Sequence, residues 1–157
     1  YTICRSEGAT MVHVKAHGAL YNSAARDMEI AKAVVNASKE IDPDLMIFGL
    51  PGSFLESESV SQNMSFCSEV FADRAYLDDG SLVPRSKDGA MITDKEVCAA
   101  RTLKMIKNSS VTSIDGKNIS IKADTVCLHG DNKESLEFAR YLHKTLLEHN
   151  IRIRRIS

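Results

Sequence analysis

The chain has 157 residues, 43% hydrophobic and 26% charged, a globular composition long enough for one domain with a real core. Its 20 lysines and arginines face 21 aspartates and glutamates, so no net field points to nucleic acid or an anionic membrane surface. No apolar run approaches the ~18 residues of a membrane span.

Residues 1–9, YTICRSEGA, read as the last turn of a helix with a glycine stop, and neither a cap nor a first turn precedes them. The chain is therefore expected to begin inside a larger domain. A short strand over 11–15 follows, and then a helix over 23–41. There Ala24, Met28, Ala31, Val34, Val35 and Ile41 share one side and Glu29, Lys32, Asn36, Lys39 and Glu40 the other. Pro43 and Asp44 break it, and LMIFGL at 45–50 is apolar throughout, as in a parallel strand covered on both faces. A short helix over 52–62 comes next, then FCSEVFA at 66–72 as a strand and a long polar loop to Ile92.

Thr93 and Glu96 form a capping box for a helix running to Asn108. Asp115-Gly116 between VTSI and NISI predicts a hairpin. TVCLHG at 125–130 reads as a strand. A helix over 133–149 should bury Leu136, Ala139, Leu142 and Leu146, and IRIRRI should close the chain as a strand. The order is βαβα, so the fold class is α/β with a mostly parallel sheet. Five core strands fall short of the roughly eight of a closed barrel. Either the sheet is open and complete or a barrel lacks its first strands, and the headless start favours the second.

Reactive side chains gather at strand ends. Lys15 and His17 follow the first strand, Asp73, Arg74 and Tyr76 follow the third, and His129 and Asp131 follow the strand at 125–128. In parallel α/β folds every strand presents its carboxyl end to the same rim, which predicts one enzyme site from three distant stretches. Each residue also has a plainer reading. His17 before Gly18 suits an ordinary turn, Asp131-Asn132 suits a helix N-cap, and Arg74 suits a pair with Asp73 on a solvated loop. His13 reads as packed within its strand, and His143 and His149 as surface charges. No H-E-x-x-H spacing supports a protein metal site, and no glycine-rich P-loop is present. Cys4, Cys67, Cys98 and Cys127 are scattered without a C-x-x-C pair, which fits a reducing cytoplasm.

Three stretches, VHVKAHGALYN, VFADRAYLDDGSLVPRSKDGAMI and TVCLHGDN, resemble in order and spacing the LamB/YcsF family. The resemblance covers essentially the whole chain, and ADRAY-x-x-DGSLVPR is its most specific string. It implies an incomplete (β/α) barrel of the seven-stranded glycoside hydrolase/deacetylase type, with residues 1–157 as one partial domain lacking its N-terminal strands. It also implies the A-subunit of a 5-oxoprolinase, which opens the lactam of 5-oxoproline to L-glutamate with partner subunits B and C and uses ATP with Mg2+ at the level of the complex. Carried onto this sequence, the motifs give His17, Asp73, His129 and Asp131 as catalytic candidates. They give Lys15, Asn22, Arg74, Tyr76 and Arg85 as binding candidates for substrate or phosphate, and no metal ligand. Two departures stand out: Ala16 replaces the family's usual proline, and family members begin well before this chain does. A strand-poor piece of this kind exposes sheet edge, which predicts a homodimer or swapped partner. Two other readings stay open: a metal-dependent deacetylase or carbohydrate hydrolase of the same superfamily, and a non-catalytic scaffold subunit.

Overall fold

In the computed structural model, which describes residues 1–130 and 135–156, helices and parallel strands alternate along two compact units. The first unit spans Tyr1–Ser68 with Ile156, and the second spans Glu69–Arg155.

The first unit opens with helix α1 (Thr2–Ser6), stopped at Gly8, where φ is 66°. Strand β1 (His13–Lys15) pairs in parallel with β2 (Met46–Gly49), and β2 pairs in parallel with the first three residues of β3 (Phe66–Phe71). The single helix expected over 23–41 is two helices, α2 (Ala19–Arg26) and α3 (Met28–Ile41). Asp27 separates them because its extended backbone and carboxylate compete with the helix. One carboxylate oxygen accepts from the backbone N–H groups of Glu29 and Ile30, at 2.9 and 3.2 Å, and so caps a new helix instead of continuing the old one. Ala24, Ala31 and Val35 are buried as expected, while Ile41 stays exposed beyond the packed stripe.

Helix α4 (Phe54–Ser61) starts at Ser53, whose hydroxyl accepts from Glu56 N–H. Glu56 in turn accepts from Gly52 N–H at 2.6 Å, a reciprocal arrangement close to a capping box. The core of this unit is Ala24, Ala31, Val35, Leu45, Ile47, Leu55 and Met64. Gly49 ends β2 where Leu55 and Phe66 close in: a Cβ there would lie 2.9 Å from Leu55 Cδ2 and 3.1 Å from the Phe66 ring.

In the second unit the last three residues of β3 pair in parallel with β6 (Thr125–Cys127), which is shorter than the 125–130 expected. Helix α5 (Lys95–Asn108) begins one residue later than the Thr93 capping box implies. Asp94 is the N-cap and accepts from Glu96 and Val97 N–H at 2.8 and 3.0 Å; a carboxylate there also complements the helix dipole, which a threonine hydroxyl does not. The hairpin forms as read, with β4 (Ser110–Thr112) antiparallel to β5 (Asn118–Ser120) and Gly116 at φ 89°.

Helix α6 (Ser135–Glu148) buries Phe138, Leu142 and Leu146 against Ala72, Cys98 and Ala99. Leu136, expected inside, is 62% exposed, and Phe138 fills the core position; the expected start at 133 lies outside the described residues. The closing IRIRRI forms no strand over 151–156. Asn150 adopts φ 61°, and Ile151 N–H donates back to Leu146 O at 2.9 Å. That is a Schellman ending, which turns Ile151 onto the α5–α6 cluster and leaves Arg152, Arg154 and Arg155 exposed.

The stretch between β3 and α5, expected as a solvated polar loop, is substantially folded. Bridges join Arg74 to Met91 and Tyr76 to Leu82, and Ala75, Val83 and Ala90 form a small core with Leu77 and Ile114. The hairpin braces it: Ile114 N–H donates to Tyr76 O at 2.8 Å, and Ser113 Oγ donates to Asp78 at 2.6 Å.

Candidate functional site

The site assembles where β3 runs into this folded loop. Strand β3 is buried along nearly its whole length, and its extension delivers Asp73 into a setting only 7% exposed. From β6 comes His129, two residues past the strand, and its Nδ1 lies 2.7 Å from Asp73 Oδ2. The imidazole also stacks on Phe71 of β3, with ring centroids 5.8 Å apart. A carboxylate at this distance holds the neutral ring in the tautomer that carries its proton on Nδ1, which leaves Nε2 as the basic nitrogen. His129 keeps 22% of its side-chain surface open, so the ring is reachable while its partner is not.

Guanidinium charge lies close to Asp73. Arg74 is 6% exposed and donates through a terminal nitrogen to Val83 O at 2.6 Å. Burial pulls its pKa below the usual guanidinium value, and the nearby Arg85 charge adds to that, while the Asp73 carboxylate opposes it. Arg74 Nε and Asp73 Oδ1 are buried without a hydrogen-bond partner among the described residues. The reading of Arg74 and Asp73 as a pair on a solvated loop is thereby corrected: both are inside, because the loop folds over its own small core. Arg85 is exposed on the same loop.

Tyr76 is fully buried, and its hydroxyl accepts from Phe71 N–H at 2.8 Å, tying the loop back to β3. Burial drives its phenol pKa well above the ordinary value, so the group stays neutral. Cys98 on α5 lies behind Asp73, its thiol pushed up to about 11, mainly by burial.

The structure thus brings Asp73 and His129 into contact, with Arg74 and Tyr76 packed around them. Asp131 lies outside the described residues. Lys15, His17 and Asn22 belong to the first unit. Lys15 Nζ lies 5.6 Å above the Tyr21 ring, His17 is exposed beside Gly18, and Asn22 donates to Gly18 O at 3.4 Å. Gly18 takes φ 60° as it leads into α2, which a residue with a Cβ rarely does. His13, expected to be packed, is exposed yet stacks on Phe48 at 4.3 Å, and His143 and His149 are at the surface. No group of three His, Cys, Asp or Glu side chains gathers as a metal site among the described residues. Among the described residues no helix is long and apolar enough to cross a membrane.

One residue escaped the sequence reading. Arg101 of α5 is half-buried and donates to Ala72 O at 3.4 Å and Arg74 O at 3.1 Å. Its signal was available: position 101 is three residues from buried Cys98 and four from buried Met105, so it shares their helix stripe. A cation on a packed stripe needs acceptors.

Comparisons with known proteins agree with the motifs. The chain is 47% identical over 152 residues to a 5-oxoprolinase A-subunit of Clostridium beijerinckii, covering 97% of this chain and 60% of that protein. It is 46% identical over 149 residues to one of Geobacillus thermodenitrificans, covering 95% of this chain and 58% of that protein. The crystal structure of a lactam utilization protein from Thermus thermophilus matches with a TM-score of 0.90 at 38% identity, over 99% of this chain and 62% of that one. The chain spans about 60% of the length of these relatives. With the family model matching residues 1–157, this chain belongs to the LamB/YcsF family.

Proposed function

We propose that the chain is part of the A-subunit of an ATP-dependent 5-oxoprolinase, a hydrolase that opens the lactam of 5-oxoproline to L-glutamate together with subunits B and C. The names of its relatives support this, as does their identity of 42–47%. The observation that carries the reading is the Asp73–His129 contact at 2.7 Å, which joins two family motifs 56 residues apart. In the full-length protein the parallel strands would complete a seven-stranded (β/α) barrel.

Hydrolysing a lactam breaks its C–N bond, adds hydroxide to the carbonyl carbon and returns a proton to the ring nitrogen. A five-membered amide resists this, so the site must move protons and hold the substrate's charge. His129, held by Asp73, takes a proton from water on Nε2 and delivers it to the departing nitrogen. ATP with Mg2+, at the level of the complex, would supply the driving force through its conversion to ADP and phosphate. Exposed Arg85, whose charge is felt by buried Arg74, presents a guanidinium fork suited to the oxygens of a carboxylate or phosphate. Arg74 and Tyr76 shape the loop that carries Arg85. Roles for Lys15 and Asn22 in anion binding, and for His17 and Asp131 in proton transfer, rest on the motifs alone. The setting is the cytoplasm.

The test is ATP-dependent formation of glutamate from 5-oxoproline by the full-length protein with its B and C partners. His129→Ala should lower turnover by ~10²–10⁴-fold without unfolding the protein. Full turnover in that variant would remove His129 from the chemistry, and absence of any glutamate from the native complex would remove the substrate.

A further inference from the structure

A carboxylate orients an imidazole only if its own backbone is fixed, and Asp73 lies just beyond the end of β3, next to the isolated bridge between Arg74 and Met91. The carbonyls around it are all engaged. Asp73 O accepts from Ile92 N–H at 2.9 Å. The carbonyls on either side, Ala72 O and Arg74 O, both accept from Arg101, through its two terminal nitrogens. We propose that Arg101 is a positioning residue for the acid–base pair, its fork pinning the peptides that flank Asp73 so that the carboxylate meets His129 Nδ1. This deepens the proposed function and rests on that reading of the dyad.

Three observations converge on this assignment. The two contacts bracket one residue, and that residue is the partner of His129. Arg101 comes from α5, whose Cys98 and Ala99 pack with Ala72 and α6 in one cluster, so the fork is anchored to a rigid element rather than a mobile loop. Burial lowers the Arg101 pKa from its usual value, and the Asp73 carboxylate is among the groups that oppose this, so the two side chains attract each other. A lysine would keep the charge but not the geometry, since one ammonium on a flexible stem does not reproduce a planar fork across two carbonyls.

The experiment compares Arg101→Met and Arg101→Lys in the full-length protein by two readouts. The first is the tautomer of His129 in long-range 1H–15N spectra, with Asp73→Asn as the reference for a broken contact. The second is steady-state turnover in the complex. The native protein should hold His129 with its proton on Nδ1. Both Arg101 variants should shift it toward the mixture seen in Asp73→Asn, and kcat should fall by about 10–100-fold with KM little changed. If Arg101→Met does not fold, Arg101→Lys decides, because it retains the charge and most of the buried stem. Native tautomer and native kcat in a folded Arg101 variant would overturn the assignment, as would a native protein lacking the Nδ1–H tautomer. Failure of the native complex to form glutamate would instead strike the substrate reading, and the tautomer would still report on Arg101.

Discussion

Asp73→Asn changes the dyad with almost no change in shape. Asp73 Oδ2 lies 2.7 Å from His129 Nδ1, and the aspartate side chain is 9% exposed, so water screens the contact little. A hydrogen bond with a charged partner contributes ~1.5–3 kcal/mol, and an amide in its place retains ~0.5–1.5 kcal/mol. The contact alone therefore loses about 1–2 kcal/mol. Two other effects oppose each other. Buried Arg74 and nearby Arg101 lose the negative charge that attracts them, while Asp73 Oδ1, buried without a hydrogen-bond partner among the described residues, ceases to be part of a desolvated anion.

The net cost is about 1–3 kcal/mol, which for a domain of this size lowers the melting temperature by about 2–4 °C per kcal/mol. Turnover should suffer more. An asparagine that turns its NH2 toward Nδ1 forces the imidazole proton onto Nε2, the nitrogen that must accept one. A loss of ~10²–10⁴-fold follows, equivalent to ~2.7–5.4 kcal/mol in the barrier. Thermal melting and glutamate formation are measured on the same full-length preparation. A variant that melts several degrees lower yet turns over within a few-fold of native would refute the reasoning, since it would show that Asp73 stabilises the fold without setting the base.

Tyr76→Phe removes the hydroxyl that accepts from Phe71 N–H in this buried corner; it should cost ~1–3 kcal/mol in thermal or urea unfolding and reduce activity far less than a change at His129. Native stability in that variant would show that the amide finds another acceptor. Gly49→Ala places a methyl group 2.9 Å from Leu55 Cδ2 and 3.1 Å from the Phe66 ring, and should destabilise by ~1–3 kcal/mol, with a melt unchanged within error counting against the tight packing.

The sequence periodicity located α3 and α6 because each buries one face, and those faces are visible at spacings of three and four residues. At two helix starts a polar side chain had taken over the backbone. Asp27 and Asp94 each accept two N–H groups and so set a helix start where hydrophobic pattern alone places none. IRIRRI alternates like a strand, but Ile151 is claimed by the α6 ending through a bond to Leu146 O, so its alternation reflects a partly buried isoleucine beside exposed arginines.

The candidate site was legible in part, for a related reason. Strand tips predicted one site from the residues after three strands, and of these Asp73 and His129 stand in contact, since parallel strands β3 and β6 carry their following residues out of the same end. What a strand tip does not announce is how the residues behind it are held. Arg74 and Tyr76 stand out in sequence only as candidates for binding, and Arg101 as ordinary helix polarity, yet each reaches a backbone group of the segment that bears Asp73 or its support, from as near as 5 residues to as far as 29. Burial of such groups is affordable only because each cation or hydroxyl finds main-chain partners, and main-chain partners leave no mark in residue identity. The chemistry of the site is thus written in side chains that local patterns reveal, whereas its stiffness is written in contacts to carbonyls and amides that only the fold reveals.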